Sequence, residues 1–188
     1  MAEANRLFFA LWPDDATRAA CAAVARDLKL RMQPGADLLQ PEHYHITLPY
    51  LGDAVSEEQQ QAALQVAQRV SLPPFTLTLD QAGSFKNRDV PWYLCPQQTP
   101  PELGLLHDHL RDALRVDGVT VQRKHFVPHL TVVRNASVAL PLTQIRPVQW
   151  RVLEFVLIRS VQPGEYQLLG RWPLNGQWQP PPEQHALF

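Results

Sequence analysis

The spacing of apolar residues along the chain changes period several times, and each change marks an element. Arg6 to Trp12 is a short apolar run with two phenylalanines, closed by Pro13, and reads as a buried strand. Asp14 or Asp15 can cap a helix to about Asp27, where Ala16, Ala19, Ala20, Ala23, Val24 and Leu28 recur at helical spacing until Pro34-Gly35 breaks the pattern. His43 to Leu48 alternates, with His43, His45 and Thr47 on one face and Tyr44, Ile46 and Leu48 on the other. Ser56-Glu57-Glu58-Gln59 opens a helix to about Val70 with a capping-box pattern, and Pro73-Pro74 ends it. Phe75 to Leu79 and Trp92 to Cys95 read as strands. Leu103, Leu106, Leu110 and Leu114 mark a third helix. His129 to Val133 alternates again, with His129 and Thr131 sharing a face. Gln149 to Ser160 and Tyr166 to Leu174 read as a strand pair turning at Pro163-Gly164. Residues 175–188 hold three consecutive prolines and little periodicity, as in a loosely held tail.

Interleaved strands and helices with hairpins predict an α+β fold, helices covering antiparallel sheets. The pattern His-x-Thr-x occurs once in each half, which predicts two pseudo-symmetric lobes with a cleft between them. The length of 188 residues suits one domain, taken as residues 1–174 followed by the tail 175–188. A formal net charge of −1 excludes a polycation that grips nucleic acid wherever it meets it, so any RNA is held at a local site and at a chain end. There is no run of 18 apolar residues for a membrane span, and the short apolar N-terminal stretch, followed by acidic residues, is a poor signal peptide. Cys21 and Cys95 are far apart and read as free, buried thiols in a reducing compartment, which points to the cytoplasm. Near-neutral charge without a large apolar repeat points to a monomer.

His45-Ile46-Thr47-Leu48 and His129-Leu130-Thr131-Val132 carry the chemistry. On a strand, residues i and i+2 point the same way, so each motif projects an imidazole and a hydroxyl from one face. Brought together, the two imidazoles suit metal-free phosphoryl transfer: one takes a proton from the attacking water, the other gives one to the departing oxygen. Thr47 and Thr131 can donate hydrogen bonds to phosphate oxygens, and Arg134 can neutralise phosphate charge. Spacing alone does not say which histidine is acid and which is base.

The chain resembles the 2H phosphoesterase superfamily and, within it, the bacterial RNA 2′,3′-cyclic phosphodiesterases or 2′-5′ RNA ligases. The resemblance rests on RLFFALWP, HYHITLPYLGD, FTLTLDQAGSF, FVPHLTVVRNA and FVLIRSVQPGEYQLLGRWPL, in family order from Arg6 to Leu174. PWYLCPQ departs from the family's usual segment. The resemblance implies the bilobal fold, His45 as proton donor, His129 as proton acceptor and a 2′-phosphomonoester product. It also implies reversible 2′-5′ joining of RNA ends, and no cofactor, metal or ATP.

Phe8 and Phe9 occupy adjacent strand positions, so one faces the core and the other is free to stack on a base. Phe9, Trp92 and Tyr166 are carried as candidate substrate contacts. His43 and His45 form a His-x-His pair, but no Asp, Glu or Cys nearby completes a metal-ligand pattern. Arg123 and Lys124, beside the second motif, are either a solvated basic pair or an attractor for phosphate. The expected partner is RNA ending in a 2′,3′-cyclic phosphate. Two alternatives stay open: a phosphodiesterase of a small cyclic nucleotide metabolite, and a non-catalytic RNA- or nucleotide-binding module.

Overall fold

Arg6–Leu11 forms strand β1, and apart from Arg6 at its start every residue in it is buried, because its two faces meet different apolar layers. Leu7, Phe9 and Leu11 face the main core, whereas Phe8 and Ala10 pack in a smaller cluster with Val156 and Ile158. The computed structural model describes residues 5–32 and 37–176. The predicted break at Pro34-Gly35 and most of the predicted tail, residues 177–188, lie outside the described residues.

After β1 come helix α1 (Asp15–Met32), the short strand β2 (Asp37–Leu38), a single 3-10 turn (Pro41–His43), strand β3 (Ile46–Gly52) and helix α2 (Glu57–Gln68). Then follow β4 (Phe75–Ser84), β5 (Trp92–Cys95), helix α3 (Pro101–Val116), β6 (Leu130–Arg134), β7 (Thr143–Val152), β8 (Glu154–Gln162) and β9 (Glu165–Pro173). Asp14 caps α1: its carboxylate accepts hydrogen bonds from the Thr17 amide at 2.8 Å and the Thr17 hydroxyl at 3.0 Å. Ser56 caps α2, its hydroxyl accepting from the Gln59 amide at 3.2 Å.

The strands join into one mostly antiparallel sheet in the order β7-β4-β5-β6-β3-β1-β8-β9, with β2 added beside β6. Its two runs, β7-β4-β5-β6 and β3-β1-β8-β9, meet where β6 and β3 pair through Ile46 and Leu130. Helix α1 packs on β6 and β7, while α2 and α3 pack together, with α3 on β3 and α2 on β9. One hydrophobic core cluster spans both runs and all three helices. Cys21 and Cys95 are buried and unpaired within it or beside it.

The predicted strand Gln149–Ser160 is two strands broken at exposed Leu153. That residue alone carries the chain from β7, at one end of the strand path, to β8, near the other, so the sheet curls strongly on itself. Strand β7 also begins earlier than expected, at Thr143, and takes in Pro147. Proline is tolerated there since β7 is an edge strand, and the register on β4 shifts around it, from Leu79 opposite Val148 to Gln81 opposite Gln144. Among the described residues no helix is long and apolar enough to cross a membrane.

Candidate active site

The two motifs meet at the centre of the sheet. Ile46 is registered opposite Leu130 in an antiparallel pair, and both side chains are fully buried in the core. Counting outward along antiparallel strands places His45 opposite Thr131 and Thr47 opposite His129. Side chains alternate across a strand, so all four project from the face opposite the one that buries Ile46 and Leu130. They line a cavity of about 110 Å³ together with Arg134 and Tyr166.

The rings are held alike. His45 Nδ1 lies 2.8 Å from the His43 carbonyl oxygen, and His129 Nδ1 lies 2.7 Å from the Val127 carbonyl oxygen. In each case the partner is the main chain two residues upstream. A carbonyl only accepts, so each Nδ1–H donates to it, and Nε2 is left as the working nitrogen, a base in the neutral ring and an acid in the charged one. Burial holds the His45 imidazolium down to about 4; the bond to the His43 carbonyl opposes this, and the positive charges of His129, Arg18 and Arg134 add to it. Burial likewise lowers His129, against the Val127 carbonyl and with a contribution from Arg134. Both rings are therefore mainly neutral near pH 7 until a negative charge enters.

Each histidine sits in its own aromatic setting. His45 packs against Phe8 and Tyr166, each with ring centroids 5.3 Å away, and is overlain by Trp12 at 6.4 Å. His129 meets the edge of Phe85 at 4.8 Å and lies 5.8 Å from Tyr93. Tyr166 stands at the start of β9, just past the turn at Pro163-Gly164. Gly164 takes a left-handed φ of 82°, open to glycine, and a Cβ there would meet the His43 ring at 3.5 Å. Arg134, at the end of β6, reaches the cavity while its guanidinium donates to Asp89 at 2.8 Å.

Of the sequence-predicted site residues, His45, His129, Thr47, Thr131, Arg134 and Tyr166 come together around this cavity. Phe9 does not: it is fully buried between Phe155 and Trp172, and its neighbour Phe8 takes the position under His45. Trp92 does not either. It is fully buried, and its indole Nε1–H donates to the Val138 carbonyl at 3.0 Å, which settles its polar atom inside the fold. The neighbouring Tyr93 is the one that reaches His129.

Arg18 has no motif to announce it. It is buried, lies over Trp12 at 4.5 Å, and its guanidinium donates to the carbonyls of Pro13 at 2.9 Å, Tyr44 at 3.0 Å and Pro41. One side chain thus ties the end of β1 and the turn before β3 together, directly behind His45. Among the described residues no group of three or more His, Cys, Asp or Glu side chains is arranged to hold a metal ion; His43 and His45 remain a pair without further ligands.

Comparison with known proteins gives a consistent result. A sequence model of the 2′-5′ RNA ligase superfamily matches residues 13–163. The RNA 2′,3′-cyclic phosphodiesterase of Escherichia coli is 35% identical over 139 residues, covering 71% of this chain and 77% of that protein. The enzyme of the same name from Thermus thermophilus is 28% identical over 190 residues, covering 92% of this chain and 91% of that protein. The crystal structure of E. coli LigT in its apo form superposes with a TM-score of 0.74 at 31% identity, covering 95% of this chain and all (100%) of that one. With the family model matched across most of the chain and the same architecture in a relative of this identity, the chain belongs to the 2′-5′ RNA ligase superfamily.

Proposed function

We propose that the protein is an RNA 2′,3′-cyclic phosphodiesterase that opens cyclic phosphate ends to 2′-phosphomonoesters by metal-free acid–base catalysis. The observation that carries this reading is the register of Ile46 on Leu130, which sets two imidazoles and two hydroxyls around one small cavity. In the forward step His129 Nε2 takes a proton from water as its oxygen bonds to phosphorus. The bond from phosphorus to the 3′ oxygen breaks, and His45 Nε2–H protonates that oxygen. Thr47, Thr131 and Arg134 hold the non-bridging oxygens. With the 5′-hydroxyl of a second RNA in place of water, the same displacement forms a 2′-5′ linkage.

The symmetric tethering of the two rings permits either assignment of acid and base; the roles given follow the superfamily resemblance. The incoming phosphodiester supplies the negative charge that raises a depressed imidazole toward the protonated form the reaction needs. E. coli LigT has been crystallised in complex with 3′-AMP. A nucleoside phosphate of that size suits a cavity of 110 Å³ for the phosphate with larger space beside it for base and sugar.

The test is a short RNA ending in a 2′,3′-cyclic phosphate, incubated with the protein in EDTA and followed by phosphorus NMR. Conversion to a 2′-phosphomonoester, lost in His129→Ala, is the expected result. A 3′-phosphate product would overturn the assignment of the leaving oxygen. Activity that needs added metal would overturn the mechanism. Turnover of a small cyclic nucleotide alone would move the reading to a metabolite phosphodiesterase.

A further inference from the structure

The cavity that holds the motif residues opens on two sides, and one of the two exits adjoins a groove lined by four cations. One exit, of about 500 Å³, passes Phe8, Tyr166 and Arg6. Its own cation is engaged, Arg6 facing Asp53 at 3.7 Å, and Arg134, which lines both exits, is bonded to Asp89 at 2.8 Å. The other exit is a compartment of about 640 Å³ that begins at Thr47, His129 and Thr131, passes Phe85, and reaches Gln122 and Lys124. There it runs into a groove of about 440 Å³ between the second half of α3 and the segment 121–125, the two spaces sharing His107, Gln122, Lys124 and His125 in their walls.

That groove is lined by Arg111, Arg115, Arg123 and Lys124. Arg111 and Arg115 are four residues apart on α3 and so share a face. Arg111 is partly neutralised by Asp108 at 3.1 Å and Asp112 at 2.9 Å, and Arg115 stands in the field of Asp112. Arg123 and Lys124 are exposed, and among the described residues neither has a carboxylate within ion-pair distance. A chain whose net charge is −1 therefore gathers four cations in one groove that leads into the cavity of the two histidines.

We infer that the groove is a binding track for single-stranded RNA on the 5′ side of the cyclic phosphate. The terminal nucleotide fills the compartment beside Phe85, and the backbone phosphates of the nucleotides before it lie against Arg115, Arg123 and Lys124. The cyclic phosphate is at the 3′ end, so the rest of the polymer has to leave the site by one of the two exits, and this is the one that leads to exposed cations, Arg123 and Lys124, with no carboxylate at ion-pair distance among the described residues. The inference rests on RNA ends being the substrate, and it makes the protein a reader of chain length as well as of the terminal phosphate.

The experiment compares a 2′,3′-cyclic mononucleotide with a hexaribonucleotide carrying the same cyclic end, for the wild type and for the exposed double variant R115Q/R123Q, across a range of salt. The expected wild-type result is a higher kcat/KM for the hexamer, falling with salt at a log–log slope of about 0.7 per phosphate contacted. In R115Q/R123Q the hexamer loses roughly 5- to 20-fold at low salt and about 1.4 of its slope, as two lost phosphate contacts require, while the mononucleotide is turned over as before. Equal rates for the two substrates in the wild type, or a hexamer rate untouched by the double variant, would overturn the track and leave the phosphodiesterase standing. A hexamer loss in R6Q with none in R115Q/R123Q would overturn it too, in favour of the other exit. Failure of both substrates in the wild type removes the proposed function and the track with it.

Discussion

Ile46 lies opposite Leu130 where β3 meets β6, each fully buried, and neither touches the cavity. This apolar pair nonetheless fixes the site, because the period of a strand is two: a slip of one residue would bury the imidazoles and present the two apolar residues to the cavity. The core-facing requirement of Ile46 and Leu130 thus specifies the orientation of His45, Thr47, His129 and Thr131 together.

His45→Ala and His129→Ala each remove a proton-transfer group from that face. Each is expected to lower kcat by about 10²–10⁴ with the fold retained, since both rings line the cavity. Phosphorus NMR of a cyclic-ended RNA gives the rate, and circular dichroism with a thermal melt checks the fold. Near-normal rates in either variant would remove the pair mechanism.

The alternation of His45 to Leu48 and of His129 to Val132 makes the site legible in the sequence, because each motif runs into a strand with one face in the core. The strands themselves begin at Ile46 and Leu130, one residue after each histidine, and His43, expected on the strand, lies in the preceding 3-10 turn. The boundaries of β5 and the capping of α2 by Ser56 are equally legible. Phe9 is not, for a physical reason: in β1 both faces are buried, so alternation separates Phe8 from Phe9 without saying which layer each enters. Trp92 is ambiguous because an aromatic with a polar atom suits either surface or core, and only the Val138 carbonyl decides it. Arg18 leaves no local signal, and Phe85, though it ends the family-like segment FTLTLDQAGSF, is not marked as a site residue, since their places behind His45 and by His129 depend on contacts with residues distant in the chain.

Phe8→Leu and Phe9→Ala separate the two layers. Phe9→Ala should cost about 3–5 kcal/mol of stability through the cavity it opens beside Phe155 and Trp172. Phe8→Leu keeps most of the packed volume but removes the ring beneath His45, so turnover should fall more than the melting temperature does. Urea unfolding and steady-state rates on the same preparations compare the two, and the opposite ranking would put Phe9, not Phe8, at the site.

Thr47→Val and Thr131→Val preserve β-branching and volume while deleting the hydroxyl. A hydrogen bond to a charged phosphate contributes about 1.5–3 kcal/mol, so each variant should lose roughly 10- to 100-fold in kcat/KM with little change in melting. Loss of melting stability without loss of rate would make these hydroxyls structural.

Stability should fall on acidification through His45. Its folded value is about 4 and the unfolded value is near 6.5, so between these the unfolded chain holds more protons and each step down in pH favours unfolding. Above 6.5 the contribution is flat, and below 4 the penalty is complete. His45→Asn cannot take up that proton and should show a shallower dependence in this window, measured by urea unfolding at several pH values. Identical slopes would place the ordinary titration of His45 back near 6.5.

Arg18 provides the sharpest test of how the His45 segment is held. Arg18→Met keeps the length of the side chain but removes the Arg18 donor from the carbonyls of Pro13 and Tyr44, while the Pro41 carbonyl keeps the Tyr44 amide, at a cost of roughly 1–3 kcal/mol for each carbonyl left unpaired out of reach of water. A loss of stability alone would not distinguish a positioning residue from a merely structural one. The titration of His45 does, because the Arg18 charge is one of the causes of its depression, whereas it is not among those acting on His129. In Arg18→Met the His45 midpoint should therefore rise from about 4 while that of His129 stays, both followed by NMR of the ring protons and nitrogens. Parallel movement of the two midpoints would mean that the whole site has loosened, and an unmoved His45 would mean that Arg18 holds the turn without acting on the ring.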